Sequence, residues 1–121
     1  MMAATVSAFI AAAATGAFLR FVMSLAIPSP WTTFTANLIG SLIIGFLFVY
    51  LDKYSTATKT VVFVAFLGSL TTYSGFALDC VKLANQSAWR TLALYFFLSN
   101  CMCILGCVAG WQIAKKLVIK F

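Results

Sequence analysis

Long apolar runs alternate along the chain with short polar interruptions. Residues from about Ala4 to Ala26, Trp31 to Leu51, Thr60 to Leu78 and Trp89 to Ala114 each hold roughly the 20 predominantly apolar residues that a helix needs to cross a bilayer. Between them lie Ile27-Pro28-Ser29-Pro30, the polar loop Asp52 to Lys59 and a connection from Asp79 to Arg90. The Pro-Ser-Pro linker is too short and stiff for anything but a tight turnaround, so the second helix is predicted to run antiparallel to the first. The pattern predicts an all-α integral membrane protein with four transmembrane helices, residues 1–121 forming a single domain.

One stretch breaks the pattern. Gly68 to Asp79, GSLTTYSGFALD, is rich in glycine and hydroxyls yet lies within the third run. Lipid cannot satisfy freed N–H and C=O groups, so a loosened backbone at that depth must be buried in protein or line a wet cavity. The stretch therefore predicts a break in the third helix, with Gly68 and Gly75 near its ends and Asp79 and Lys82 marking the return to water. The second run carries a polar face as well: at helical spacing Thr33, Asn37, Gly40, Ser41 and Gly45 fall together, away from Phe34, Leu38, Leu42, Phe46 and Val49. Small residues recur at Ala12/Gly16, Ala13/Ala17 and Gly106/Gly110, spacings that let helices approach closely. Four short helices hardly enclose a pathway alone, so a dimer with these small-residue faces at its interface is expected.

Composition fixes the class. Of 121 residues 64% are hydrophobic and 8% charged, with a mean hydropathy of +1.06, more apolar surface than a soluble domain of this length can bury. The first run lacks a basic leader and a small-residue cleavage site and is expected to belong to the mature protein. The net charge of +6 does not indicate nucleic acid, because Lys53, Lys59, Lys82, Arg90, Lys115, Lys116 and Lys120 all flank apolar runs, where they anchor to lipid headgroups. Lys53, Lys59, Lys115, Lys116 and Lys120 fall on the side of the termini, and Lys82 and Arg90 on the other, with Arg20 near its edge. This modest bias favours cytoplasmic termini in a multi-pass protein of the cell membrane. Cys80, Cys101, Cys103 and Cys107 contain no CxxC pair and the chain has no His, which argues against a zinc or dithiol site.

Candidate chemistry rests on few side chains, each with a plain alternative. The hydroxyls of the break either back-bond to carbonyls in an ordinary kink or accompany freed carbonyls that face a hard cation. Tyr73 and Phe76, three apart and facing the same way, are core or lipid-facing aromatics, or rings whose positive edges meet a small anion. Asn37, the one amide in the first three runs, makes an interhelical hydrogen bond or donates to an anion. Arg20 snorkels, pairs with Asp79, or draws anions to a vestibule.

Taken together these motifs resemble the Fluc (CrcB-like) fluoride channels. Gly16-Ala17-Phe18-Leu19-Arg20 is similar to the family's GAxxR, Thr33 to Gly45 to its T-x-x-x-N-x-x-G-S-x-x-x-G, Gly68 to Phe76 to its G-x-x-TT-F-S-T-F box, and Tyr95 with Ser99 to its Y-x-x-x-S. The resemblance implies a four-span antiparallel dual-topology dimer with two fluoride pores, formed with a second copy or a homologous subunit. It implies a structural Na⁺ at the dimer interface, held by the backbone carbonyls of Gly68 and Thr71. It places Asn37, Tyr73 and Phe76 in the fluoride pore, Ser74, Tyr95 and Ser99 on its polar track, and Arg20 at the vestibule. The chain departs from the pattern at Tyr73 (family Phe), Gly75 (Thr), Thr32 (Gly) and Asp79 (Glu). Passive fluoride efflux is thus the leading expectation, with a non-conducting subunit of a heterodimeric channel as the alternative within the family. A small multidrug-type four-span transporter needs a carboxylate inside the membrane, and Asp52 and Asp79 are expected at interfaces. An enzyme is not expected, for want of His, buried acids or a paired nucleophile.

Overall fold

The computed structural model describes residues 1–119; Lys120, the last of the expected anchors, lies outside the described residues. Helix α1 spans Met2–Ala26, α2 Trp31–Tyr50, α3 residues 56–70, α4 Tyr73–Asn85 and α5 Trp89–Ile119. Helices α3 and α4 together make one interrupted span, giving four helical units long and apolar enough to cross a membrane. No strand occurs among the described residues. The fold is all-α, as the alternating pattern predicts.

Local sequence explains where the helices start and stop. Pro28 and Pro30 end the first helix, and Ile27 turns to an extended conformation while its N–H still bonds the Met23 carbonyl at 2.9 Å. The Thr32 hydroxyl donates to the Ile27 carbonyl, tying the start of α2 back to the end of α1. Ser55 caps α3 by accepting the Thr58 N–H. Within α3 the stretch Val61–Leu67 winds wider than an α-helix, so that the Gly68 N–H reaches the Phe63 carbonyl five residues back.

The third span differs from expectation at its far end. Helix α4 does not stop near Leu78 but continues to Asn85, and the connection shrinks to residues 86–88, with Ser87 at a φ of 54°. Asp79 therefore does not mark water. It is 5% exposed, and its carboxylate accepts from the Ser29 hydroxyl at 2.6 Å and the Tyr95 hydroxyl at 3.3 Å. A buried acid stays within a membrane helix only when hydrogen bonds replace the lost water. These two supply that replacement, and neither partner is adjacent in sequence.

The glycine stripes are also used differently. A Cβ on Gly45 would strike the Cys107 carbonyl, one on Gly110 the Leu42 carbonyl, and one on Gly106 would lie 3.1 Å from the Leu38 side chain. These three glycines seat α5 against α2. Gly16 seats α1 against α3, where a Cβ would strike the Phe66 carbonyl and the Ser69 hydroxyl. Small residues do mark close helix contacts, but these contacts are within the chain and not, as expected, held back for a dimer interface. Lipid gives helices no hydrophobic drive to associate, so a small bundle draws on its small residues to pack itself first.

The ends of the spans carry cations over aromatic rings. Lys53 Nζ lies 5.8 Å from the ring centres of Tyr50 and Tyr54, and Lys115 Nζ lies 4.4 Å from that of Trp111. Such pairs suit the headgroup region, where one end of the side chain is dry and the other wet.

Candidate functional site

The break itself consists of two threonines. Thr71 (φ −86°, ψ 158°) and Thr72 (φ −153°, ψ 117°) are extended, whereas Gly68 remains helical and Gly75 lies in the first turn of α4. The glycines thus do not delimit the break. Threonine suits it because a hydroxyl can stand in for a missing backbone partner: Thr72 Oγ1 accepts the Gly75 N–H at 2.9 Å and caps α4.

Asn37 holds the same residue from across the bundle. Its Oδ1 accepts the Thr72 N–H at 2.7 Å and its Nδ2 donates to the Thr72 carbonyl at 3.0 Å. One side chain therefore satisfies both backbone groups of a residue that lipid would leave bare. Gly40, one turn further along α2, leaves room for the Thr71 methyl, which a Cβ there would strike.

These bonds have a further consequence. In an unbroken α-helix the Thr72 N–H would bond the Gly68 carbonyl, and the Gly75 N–H the Thr71 carbonyl. Both donors are diverted, one to Asn37 and one to the Thr72 hydroxyl. The carbonyls of Gly68 and Thr71 lose their helical donors and keep their acceptor capacity.

Beside the break lies a cleft of about 390 Å³, bordered by α2, both halves of the third span and α5. Six of the nine candidate site residues border it: Asn37, Gly68, Thr71, Tyr73, Phe76 and Ser99. The other three do not. Ser74 is exposed, with its Oγ 3.2 Å from Thr72 Oγ1. Tyr95 is fully buried behind Phe76, its hydroxyl on Asp79. Arg20 sits on α1, away from the cleft, and the possible pairing with Asp79 does not form; among the described residues the ion pair present is Lys59 with Asp52, at 3.6 Å and largely solvated.

Tyr73 and Phe76 touch, with ring centres 5.5 Å apart, but they are placed differently. Phe76 is 5% exposed and packs on Tyr95 and Phe96 at 5.4 and 5.8 Å, whereas Tyr73 is 79% exposed. The cap at Thr72 sets this outcome by fixing the rotation at which α4 begins. Only one ring of the pair is enclosed within the chain.

Ser99 contributes the least expected feature. It is 6% exposed, it borders the cleft, and its Oγ is buried with no hydrogen-bond partner among the described residues. An unpaired buried hydroxyl costs free energy on the order of 1–3 kcal/mol. Ser41 and Cys103 also border the cleft. Ser41 belongs to the polar face already read on the second run, whereas Cys103 was passed over; it lies four residues from Ser99, and that spacing is the signal that points to it. The buried Asp79–Tyr95–Ser29 cluster had no such signal, because it depends on the depth to which α4 enters the bundle.

A family model described as "CrcB-like protein, Camphor Resistance (CrcB)" matches residues 7–111. The chain belongs to this CrcB-like family. Among its curated relatives, the "Fluoride-specific ion channel FluC" of Pseudoalteromonas translucida is 37% identical over 112 residues, covering 85% of this chain and 93% of the relative. The proteins of the same description from Aeromonas salmonicida and Idiomarina loihiensis are 35% and 34% identical, covering 91% and 87% of this chain and 96% and 88% of their own lengths. With four spanning helices and this family membership, the CrcB-like chain is a multi-pass membrane protein.

Proposed function

We propose that this chain forms a fluoride-specific channel that passes fluoride passively across the membrane, lowering its concentration inside the cell. The observation that carries the reading is the cleft beside the helix break. It offers hydrogen-bond donors at membrane depth, yet no cationic side chain that would hold an anion too tightly to release. Asn37 keeps one N–H of its amide after bonding Thr72, Ser99 keeps its whole hydroxyl, and Phe76 presents a ring whose edge is positive. These groups can replace part of a small anion's hydration shell. A channel needs no catalytic group, so the chain is not read as an enzyme.

A second copy of the chain, antiparallel to the first, completes the reading. The cleft is bordered by Tyr73 and Ile104, which are 79% and 65% exposed; such a wall is closed by another subunit rather than by lipid, which would not tolerate the cleft's polar side. Tyr95, Ser74 and Arg20 then act at one remove, Tyr95 by seating Phe76, Ser74 at the rim and Arg20 at the approach. The Gly68 and Thr71 carbonyls would hold a structural Na⁺. The fit rests on their diverted donors, since hard cations take oxygen ligands. When bound, the ion would supply positive charge at the break and tie the two copies together.

Asp79 bears on the multidrug alternative. It is buried in the protein beside Ser29 of the exposed turnaround, level with the end of the spans, and so is not the mid-membrane acid that multidrug transport needs. The multidrug reading is further disfavoured because Asp79 is bonded by Ser29 and Tyr95 and does not border the cleft, and because the chain is CrcB-like. The test is fluoride efflux from liposomes containing the purified protein, followed with a fluoride-selective electrode. Rapid, chloride-excluding efflux is expected; a folded homodimer that passes none would reduce this chain to a partner subunit. Exchanging Na⁺ for a large organic cation throughout should weaken the dimer, and an unchanged dimer would remove the cation assignment.

A further inference from the structure

All four cysteines are free thiols, and they sit in four different surroundings. Cys101 is exposed on the outer face of α5. Cys107 borders a separate apolar cleft with Gly45, Phe48 and Trp111. Cys80 packs against the core of Phe76, Leu83 and Tyr95. Cys103 alone borders the polar cleft, half-buried, opposite Ser41 and one helical turn beyond Ser99. Beside it is the unpartnered hydroxyl of Ser99, more than nine-tenths buried.

Two ladders therefore face each other across the cleft, Asn37 and Ser41 on α2 and Ser99 and Cys103 on α5. A turn further on, at Cys107, the lining becomes apolar. The thiol is the last polar group on α5 before that change. Thiol sulfur is soft and selects soft monovalent cations such as cuprous copper or silver, and the hydroxyls of Ser99 and Ser41 lie beside it to complete a mixed sulfur–oxygen site.

We propose that Cys103 makes the pathway a binding site for thiophilic monovalent cations, through which such a cation plugs conduction. On binding, the S–H bond breaks, the sulfur's electron pair forms the S–metal bond, and the proton leaves to water; no electron is transferred. The bound cation occupies the space between the two ladders and holds a passing anion in place. This rests on the channel reading of the same cleft.

The probe is silver nitrate in chloride-free buffer, applied to the full-length protein in liposomes. Fluoride efflux is expected to slow by about tenfold or more, as occlusion of a single-file constriction requires, and to recover on adding excess small thiol. Cys103→Ser, compared with its own untreated efflux, should be insensitive, and a protein with Cys80, Cys101 and Cys107 all changed to Ser should keep the block. Equal block in Cys103→Ser, or no block in the parent, overturns the proposal. If the parent passes no fluoride, the channel reading fails, and mass spectrometry decides the site separately. A silver adduct retained by the protein in which Cys80, Cys101 and Cys107 are Ser, and lost when Cys103 is changed to Ser as well, supports it, and no adduct on that protein overturns it.

Discussion

Replacing Asn37 with Asp changes one NH₂ group into an oxygen and tests the break and the pathway together. The Oδ1 bond to the Thr72 N–H survives, but the donor to the Thr72 carbonyl at 3.0 Å is lost. The new carboxylate oxygen then faces the Thr72 carbonyl oxygen with no donor between them, which costs on the order of 1–3 kcal/mol and loosens the break. The charge matters more. A carboxylate about 4 Å from a passing anion, at an effective dielectric of about 20, repels it by about 4 kcal/mol, and each 1.4 kcal/mol or so is tenfold in occupancy. Fluoride efflux at neutral pH should therefore fall by about three orders of magnitude, while size-exclusion chromatography still finds a folded protein. The sign of the pH dependence follows. As pH falls through the pKa of the new carboxyl, the charge disappears and an O–H becomes available for the Thr72 carbonyl, so efflux rises. Electrode recordings over a pH series, with protein-free liposomes subtracting HF leakage, measure both effects. A folded Asn37→Asp protein conducting within tenfold of the parent at neutral pH would refute the reasoning.

The remaining substitutions separate packing from conduction. Phe76→Ile keeps an apolar side chain but removes the ring from its stack with Tyr73, Tyr95 and Phe96; efflux should be abolished for a stability loss of about 1–2 kcal/mol, measured by thermal unfolding in detergent. Gly110→Ala drives a methyl into the Leu42 carbonyl and should cost about 1–3 kcal/mol as α5 shifts from α2, lowering the unfolding temperature. Asp79→Ala deprives the buried Tyr95 hydroxyl of its acceptor, while the exposed Ser29 hydroxyl can turn to water, and should destabilise by about 1–3 kcal/mol, with Asp79→Glu recovering part of the loss; an unchanged unfolding temperature would mean that the acid is not bonded as described. Thr72→Val removes the cap on the Gly75 N–H and should cost about 1 kcal/mol, read in the same assay.

The number of spans, the turnaround at Pro28 and Pro30, the location of the break within residues 68–75 and the capacity of Asn37 for an interhelical hydrogen bond were all legible in the chain, because each depends on local composition or on a helical period. Hydrophobic length alone requires four crossings in lipid, and hydroxyls in the middle of an apolar run require a partner. The burial of Asp79 within the protein was not legible. A carboxylate near the end of an apolar run reads as a boundary, and only the approach of Ser29 and Tyr95, 50 and 16 positions away, makes burial tolerable. The destination of the glycines was likewise undecided: spacing marks a close contact without naming the partner, and the tertiary structure assigned Gly16 to α3 and Gly45, Gly106 and Gly110 to the α2–α5 seam. The same holds at the break. Sequence marked where a helix would open, whereas which carbonyls lost their donors, which ring was enclosed and which hydroxyl was left unpaired depended on the geometry of four packed helices. Hydrogen bonds reach only about 3 Å, and which groups come that close is decided by the fold and not by the period of the chain.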